Sequence, residues 1–246
     1  MLVLGIDLAS RPAGTAACLL ECEPGAAAVR DVTLGLTDDD IVRLAVGVAK
    51  IGIDIPLGWP RRFVEALSAH TAGDGWPPGY DHDVDKRAMC YRRTDRAVSE
   101  APYSWPLSVS ADRIAIPAMR GVHLARRLVG GPVDLSGQGL VVEVYPAVAL
   151  HRWGLRDRGY KGAANPIVRR RTLGDLLATA SVLDVGPARD RLVHSDHCFD
   201  ALIAALVATA HVNGHCDPVP DDATVDAQHE GWIAVPNAEL DRCLRA

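Results

Sequence analysis

The order of extended and helical segments near the start of the chain restricts the folds available to it. Apolar runs at residues 2–7, 16–20 and 27–34 predict three strands, and Pro24-Gly25 predicts a turn between the last two. Apolar residues at helical spacing follow Thr37, and residues 50–55 predict a fourth strand that Pro56 ends. Three strands that form an antiparallel meander, followed by a helix and another strand, indicate an α/β domain with a mixed sheet.

Later segments extend this pattern. Residues 140–144 predict a fifth strand, residues 232–235 predict a short late strand, and several segments between them have helical periodicity. We therefore predict one domain over residues 1–246, with an Arg-rich, mostly helical insertion at about residues 60–138. The element order is that of a ribonuclease H-like fold, an α/β architecture whose mixed five-stranded sheet has the order 3-2-1-4-5 and is flanked by helices.

Acidic residues stand at or close to the ends of the predicted strands. Asp7, Asp54 and Glu143 each follow a run of apolar residues, and Asp200 lies in an Ala- and Leu-rich helical segment. A carboxylate in such a position is costly unless it is paired or holds a metal ion. Because the carboxyl ends of neighbouring parallel strands meet at one edge of a sheet, we expect the four carboxylates to converge there.

Four converging carboxylates predict a metal site. Oxygen ligands favour Mg²⁺ or Mn²⁺ over Zn²⁺, and such ions activate water for phosphodiester hydrolysis. We therefore predict that Asp7, Asp54, Glu143 and Asp200 bind the metal and carry the catalysis. Each acid taken alone has a plainer explanation, such as pairing with an arginine or fixing a loop, so the prediction rests on their joint placement.

The residues around the predicted helix 197–213 allow other interpretations. Asp196 is placed to cap this helix, and His197 can reach the acidic edge as a general base. A zinc site would need His and Cys residues from both ends of the helix, which lie about 20 Å apart at the rise of an α-helix. Zinc is therefore disfavoured.

Charge is distributed unevenly along the chain. The net charge is -5, yet residues 86–171 hold 16 basic residues, 14 of them Arg, against 6 acidic ones. Arginine suits phosphate recognition because its planar guanidinium forms paired hydrogen bonds. This region predicts a basic approach to the acidic site and a nucleic-acid partner, DNA or RNA, although solvated helix faces would give a similar composition.

Several short motifs, in a fixed order along the chain, resemble those of one protein family. They are Gly5-Ile6-Asp7, Ile53-Asp54-Ile55-Pro56-Leu57-Gly58, Arg93-Thr94-Asp95, Val142-Glu143-Val144-Tyr145-Pro146, Phe199-Asp200-Ala201 and Glu230-Gly231-Trp232-Ile233. The set resembles the uncharacterised bacterial proteins grouped as domain of unknown function 429, and the similarity covers nearly the whole chain. That family is regarded as predicted nucleases with a ribonuclease H-like fold.

The resemblance implies site residues as well as a fold. Its acidic positions carry over to Asp7, Asp54, Glu143 and Asp200. The Arg93-Thr94-Asp95 and Tyr160-Lys161 motifs also match, and we predict that Arg92, Arg93 and Lys161 bind substrate phosphates. Better-known ribonuclease H enzymes have a catalytic Glu on the first helix, and no clear equivalent is present here, which leaves the number of metal ions open.

Two other function classes remain open from the sequence. The Gly5-Ile6-Asp7-Leu8 strand also resembles the opening of phosphotransferases and ATPases of the actin and sugar-kinase type, but Ala9-Ser10-Arg11-Pro12 replaces their phosphate-binding residues. A non-catalytic nucleic-acid-binding module is the third possibility. The first apolar run is short and broken by Asp7, which predicts no signal peptide, no membrane association and a cytoplasmic location.

Overall fold

A computed structural model describes residues 1–76, 83–99 and 106–245. Within these ranges seven strands form one mixed sheet in the order β6-β3-β2-β1-β4-β5-β7. The strands are β1 (Leu2–Asp7), β2 (Ala16–Glu23), β3 (Ala26–Leu34), β4 (Lys50–Ile53), β5 (Val141–Val144), β6 (Leu183–Asp184) and β7 (Ile233–Ala234).

The predicted α/β class with a mixed sheet is confirmed, but the predicted five-stranded sheet is wrong in its number of strands. The order 3-2-1-4-5 forms the middle of the sheet, and one short strand is added at each edge. Strand β6 pairs with β3 and β7 pairs with β5, both in parallel and over two residues each. The late strand predicted at residues 232–235 is confirmed as β7, whereas β6 was not predicted, because two residues are too few to show a period of two.

The helices that the structure describes flank the sheet. They are α1 (Asp38–Leu44), α2 (Arg61–Ala72), α3 (Asp83–Cys90), α4 (Arg93–Ser99), α5 (Ala115–Val129), α6 (Pro146–Arg152), α7 (Pro166–Thr179), α8 (Arg189–His194), α9 (Asp196–Val212), α10 (Thr224–Glu230) and α11 (Leu240–Leu244). The segment predicted as an Arg-rich helical insertion holds α2 to α5, and residues 77–82 and 100–105 of it lie outside the described ranges.

Strand direction brings the ends of the central strands to one edge. β1 pairs in parallel with β4, and β4 pairs in parallel with β5, whereas β2 is antiparallel to β1 and to β3. The side chains of β1, β4 and β5 alternate between two cores, as the pleat of a strand requires. Val3 and Val142 belong to the core that contains α9, and Ile6 and Ile53 belong to the core that α1 and α5 cover.

Helix α9 lies against the backbone of the central strands. Every residue from 198 to 210 is buried, and small residues on one side of the helix let it approach the sheet closely. A Cβ atom added at Gly5 would overlap the backbone of Ala201 and Ala205, and one at Gly52 would overlap the carbonyl oxygen of Ala204. These two glycines therefore set the height of α9 above β1 and β4.

We expect Gly5→Ala to destabilise the protein by about 3 kcal/mol, because the overlap is with backbone atoms that cannot rotate away. Urea denaturation measures the loss. Gly174→Ala on α7 is the control, since nothing lies near its Cβ position and alanine should stabilise a helix interior by about 0.5–1 kcal/mol. A Gly5 variant with unchanged stability would contradict the close approach of α9.

No helix within the described ranges is both long enough and apolar enough to cross a membrane.

Candidate active site

Three of the four predicted carboxylates come together at the carboxyl-terminal edge of the central strands. Asp7 ends β1, Asp54 directly follows β4, and Asp200 lies in the second turn of α9. Burial raises the pKa of Asp54 well above its ordinary value; Lys161 opposes this shift, and the charges of Asp7 and Asp200 add to it. The three acids therefore share one electrostatic environment, as the element order predicted.

Two neighbouring side chains bind Asp200, which is almost fully buried. The Lys161 ammonium lies 2.7 Å from one carboxylate oxygen, and the Tyr160 hydroxyl donates to the other at 2.8 Å. Burial raises the pKa of Asp200, against the effect of Lys161, and Asp7 raises it further. Burial alone would lower the pKa of Lys161, but Asp200 and Asp54 outweigh it and raise that pKa, so Lys161 carries a positive charge here.

A buried arginine holds the segment that presents Tyr160 and Lys161. The Arg169 guanidinium donates to the backbone carbonyls of Tyr160 and Gly162 at 2.6 and 2.7 Å, and to those of Val193 and His194 at 2.9 and 3.2 Å. Because these four carbonyls satisfy the buried guanidinium, the two backbone segments that provide them are held in fixed positions. Arg169 thus ties the Lys161 segment to the start of α9.

Asp196 also holds this segment, and the prediction that it caps α9 is wrong. The Ser195 side chain is the N-cap and accepts a hydrogen bond from the Cys198 amide. The Asp196 carboxylate instead accepts from the Gly162 amide at 2.7 Å. Serine and aspartate are both good N-caps, so two adjacent candidates could not be separated by residue type alone.

His197 pairs with Asp7. Its Nδ1 atom lies 2.6 Å from Oδ2 of Asp7, and this hydrogen bond raises the pKa of His197, against the effect of partial burial. The imidazole thus reaches the acidic edge, where the sequence placed it as a possible general base. Its second ring nitrogen lies towards the backbone at Gly14, in the loop after β1.

Glu143 is held by an arginine on the other face of the sheet, although it lines the same cavity as Asp7 and Asp54 and its charge helps to raise the pKa of Asp54. It lies within β5 and is paired in register with Ile53, so its side chain is on the sheet face opposite α9. Its two carboxylate oxygens accept from the Arg92 guanidinium at 2.6 and 2.7 Å, and one of them also accepts from the Leu57 amide at 3.0 Å. This engagement leaves Glu143 poorly placed for the metal role that the sequence predicted.

Arg92 and Arg93 are both paired with acidic residues of the protein. Buried Arg92 binds Asp95 as well as Glu143, and Glu230 accepts from the Arg93 amide at 2.6 Å. The Arg93 side chain points outward and pairs with Asp222 at 2.7 Å. Lys161 lies against Asp200, and Arg92 lines the same cavity as Asp7 and Asp54 but is bound by two carboxylates, so Lys161 is the better placed of the two to bind a phosphate.

A cavity of about 430 Å³ opens in front of this cluster. Asp7, Asp54 and Lys161 lie on one side of it. The rest of the wall is mainly apolar and includes Leu8, Ile55, Pro56, Ile114, Tyr145 and Val148, but the charged residues Arg92, Asp95, Glu143 and Asp157 also line it, as does exposed Arg158. The cavity gives a small ligand access to two of the three converging carboxylates.

The carboxylates provide the donor chemistry for Mg²⁺ or Mn²⁺ but are not arranged as a finished metal site. No group of three Asp, Glu, His or Cys side chains among the described residues is positioned to hold a metal ion as it stands. However, no hydrogen bond or ion pair from the described part of the chain reaches the Asp54 carboxylate, although it lies beside Asp7 and Asp200. A cation at Asp54 would satisfy an acid for which the described residues provide no hydrogen-bonding partner.

Comparison with known proteins identifies the family. Residues 5–225 match the family model described as protein of unknown function (DUF429). The chain belongs to the DUF429 family. Neither the curated proteins nor the solved structures that were compared contain a significant match to it.

Sequence reasoning missed some of the residues that shape this DUF429 site. Arg169 and Arg158 were counted only within the basic region, and Tyr160 was noticed only as part of a shared motif. A buried arginine among carbonyls has no distinctive neighbours in the sequence, because its partners come from residues up to 25 positions away. The order of the segments gave no indication that Tyr160 and Lys161 would lie against Asp200.

Proposed function

We propose that this protein is a hydrolase that uses Mg²⁺ or Mn²⁺ to cleave phosphodiester bonds in nucleic acid, on a ribonuclease H-like fold. The observation that carries the proposal is the convergence of Asp7, Asp54 and Asp200, of which Asp7 and Asp54 line a cavity. The inner strand order 3-2-1-4-5 supports the fold assignment. The coincidence of acids from two parallel strands and a crossing helix supports the assignment of the site.

The charge balance of the cluster favours a divalent cation. Three carboxylates face one ammonium group, that of Lys161, and the His197 imidazole adds a positive charge only when it is protonated. Like charges in a partly buried site raise one another's pKa values, and a bound cation removes that conflict. The raised pKa values of Asp54 and Asp200 have this origin in part.

Asp7, Asp54 and Asp200 would hold the metal. Bound there, Mg²⁺ or Mn²⁺ would polarise a phosphate oxygen and lower the pKa of a water molecule. Glu143 affects the site indirectly. Its ion pair with Arg92 fixes its carboxylate, which accepts a hydrogen bond from the Leu57 amide and so holds the segment that follows Asp54. We therefore assign Glu143 a positioning role in place of ligation.

The neighbouring cations and the imidazole supply the remaining functions. The Lys161 side chain is 55% exposed, so its ammonium can turn from Asp200 towards a phosphate in the cavity when a metal ion neutralises the acids. His197 holds the orientation of Asp7 and can accept or donate a proton at the nitrogen that Asp7 does not occupy. Arg158 gives the exposed side of the cavity a second cation.

We expect metal-dependent cleavage and metal-dependent stabilisation. A panel of single- and double-stranded DNA and RNA, each with Mg²⁺, Mn²⁺ or EDTA, should show hydrolysis only with metal present. In the same buffers, metal at about 100 times its dissociation constant should stabilise the fold by about 2.7 kcal/mol, read as a rise in Tm.

Two outcomes would contradict the proposal. Hydrolysis that persists in EDTA would show that the reaction does not need a metal ion. Absence of both cleavage and thermal stabilisation by either metal would remove the site assignment, and ATP included as a ligand in the same titrations would then test the phosphotransferase alternative.

A further inference from the structure

We propose that the cavity beside the carboxylates binds one unpaired nucleobase, with the attached phosphate between Arg158 and Lys161. This inference rests on the proposed function and names the part of the nucleic acid that the site would accept. It is carried by three features of the cavity: its size, its apolar wall and the position of its cations.

The size of the cavity fits one nucleotide better than a duplex. Its volume of about 430 Å³ lies within the roughly 300–1,000 Å³ typical of small-molecule pockets. The acids are reached through this cavity, since Asp7 and Asp54 line it. A paired base cannot enter such a space without leaving its partner, so a duplex would have to expose a base first.

The apolar part of the cavity wall is suited to a flat apolar group. Leu8, Ile55, Pro56 and Ile114 give it an apolar surface, and Tyr145 adds an aromatic ring. Aromatic side chains bind bases by stacking without selecting their sequence, because every base has a π-face. Burial raises the pKa of Tyr145, so its hydroxyl is neutral at physiological pH and available as a hydrogen-bond donor or acceptor at the cavity.

Two cations among the lining residues, Arg158 and Lys161, are available to bind a phosphate in the cavity, which Asp157 also lines. Arg158 lines the cavity and is exposed, and no hydrogen bond or ion pair within the described residues engages its guanidinium. Lys161 lies between this region and Asp200. A ligand with one flat apolar end and one anionic end matches this arrangement, whereas a sugar lacks the first property and a lipid chain lacks the planar shape.

The inference predicts a preference among substrates. Single strands, frayed ends and unpaired positions should react faster than an intact duplex of the same sequence, because no base pair must open. Removal of the base should weaken binding even when the phosphate remains.

Calorimetry with small probes tests the pocket independently of cleavage. Adenosine 5′-monophosphate and ribose 5-phosphate are titrated into the full chain, with Mg²⁺ and with EDTA. We expect the nucleotide to bind at least about tenfold more tightly than the sugar phosphate, since stacking of one base contributes about 1–3 kcal/mol. Equal binding of the two probes, or no binding of the nucleotide, would overturn the inference.

Variants assign the two ends of the pocket. Tyr145→Ala should weaken binding of the nucleotide about tenfold and leave the sugar phosphate unaffected. Ala147→Phe, which adds a ring at a residue lining the cavity, should give a similar loss by occupying the space. Tm measured for each variant shows that it is folded, and unchanged nucleotide affinity in both folded variants would overturn the base pocket.

The phosphate end has a matched control. Arg158→Ala should weaken both phosphorylated probes about tenfold, whereas Arg156→Ala should change neither, because Arg156 is also exposed but does not line the cavity. Equal effects of the two substitutions would overturn the phosphate position. Base-dependent binding without any cleavage would support the pocket and overturn the proposed hydrolase. Metal-dependent cleavage without base-dependent binding would support the hydrolase and overturn the pocket.

Discussion

Asp54→Asn is expected to abolish metal-dependent cleavage, by at least about 100-fold, and at the same time to raise the Tm of the protein measured in EDTA. The activity is lost because an amide cannot replace the charge of a carboxylate in holding a divalent cation. The stability rises because the fold buries Asp54 beside the charges of Asp7 and Asp200, and no side chain within the described ranges forms a hydrogen bond to its carboxylate. A gain of about 1 kcal/mol would raise Tm by about 2–4 °C in a chain of this size.

The stability effect of Asp54→Asn has a defined pH dependence. The pKa of Asp54 is raised on folding, so over the window between its unfolded and folded pKa values the folded state binds the proton more tightly. The ionised carboxylate therefore destabilises the protein fully above the folded pKa, and this penalty disappears as the pH falls towards the unfolded value. The Tm difference between the variant and the parent should thus be largest at neutral pH and shrink on acidification.

Asp39→Asn is the matched control for this experiment. Asp39 is an exposed aspartate on α1 that pairs with Arg127 on the surface and does not line the cavity. We expect normal cleavage and a change in stability within about 0.5 kcal/mol. An Asp54→Asn variant that cleaves normally, or that loses stability at neutral pH, would contradict the electrostatic description of the site.

Arg92→Ala is expected to destabilise the protein by about 3–5 kcal/mol, the cost of leaving a buried carboxylate without its partner. Glu143 and Asp95 would both lose a guanidinium that each binds through two hydrogen bonds. Glu143→Gln should be similarly unfavourable, because the amide nitrogen would face the donors of Arg92. Chemical denaturation gives the free energy of unfolding for each variant.

The neighbouring arginine provides the comparison. Arg93 pairs with Asp222 on the surface with 40% of its side chain exposed, so Arg93→Ala should cost no more than about 1 kcal/mol. If Arg92→Ala were as mild as Arg93→Ala and instead weakened substrate binding, Arg92 would regain the phosphate-binding role that the sequence suggested.

The middle of the fold was predictable because its segments are long enough to show their periods. Strands β1 to β5 and the helices after Pro146 and Pro166 correspond to clear apolar patterns and helix-start residues. Strand β7 lies within the late strand predicted at 232–235, but its pairing with β5 was not predictable, and neither was strand β6, because no local pattern records these pairings. Similarly, the choice of Ser195 over Asp196 as the cap of α9 depends on the contact of Asp196 with Gly162.

The site was predicted in part, and Glu143 shows the physical reason. Asp7 and Asp54 occupy the positions after Ile6 and Ile53, which are paired in register, so their side chains share one face. Glu143 is paired with Ile53 itself, one step out of phase with the two aspartates. A position near the end of an apolar run predicts that a residue lies at the edge of the sheet. Only the strand register shows which face its side chain is on, because alternate residues point in opposite directions.

The contact of α9 with Gly5 and Gly52 determines how precisely the site can be built. Asp200 directly precedes Ala201, whose carbonyl would meet any side chain at position 5, so its separation from the strand ends is set by backbone touching backbone. Side chains that face the other helices can change without altering this backbone contact. Substitutions in the surrounding core should therefore leave the distances between the carboxylates unchanged. A methyl group added at either glycine would instead push α9 away from the sheet and increase the distance from Asp200 to Asp7 and Asp54.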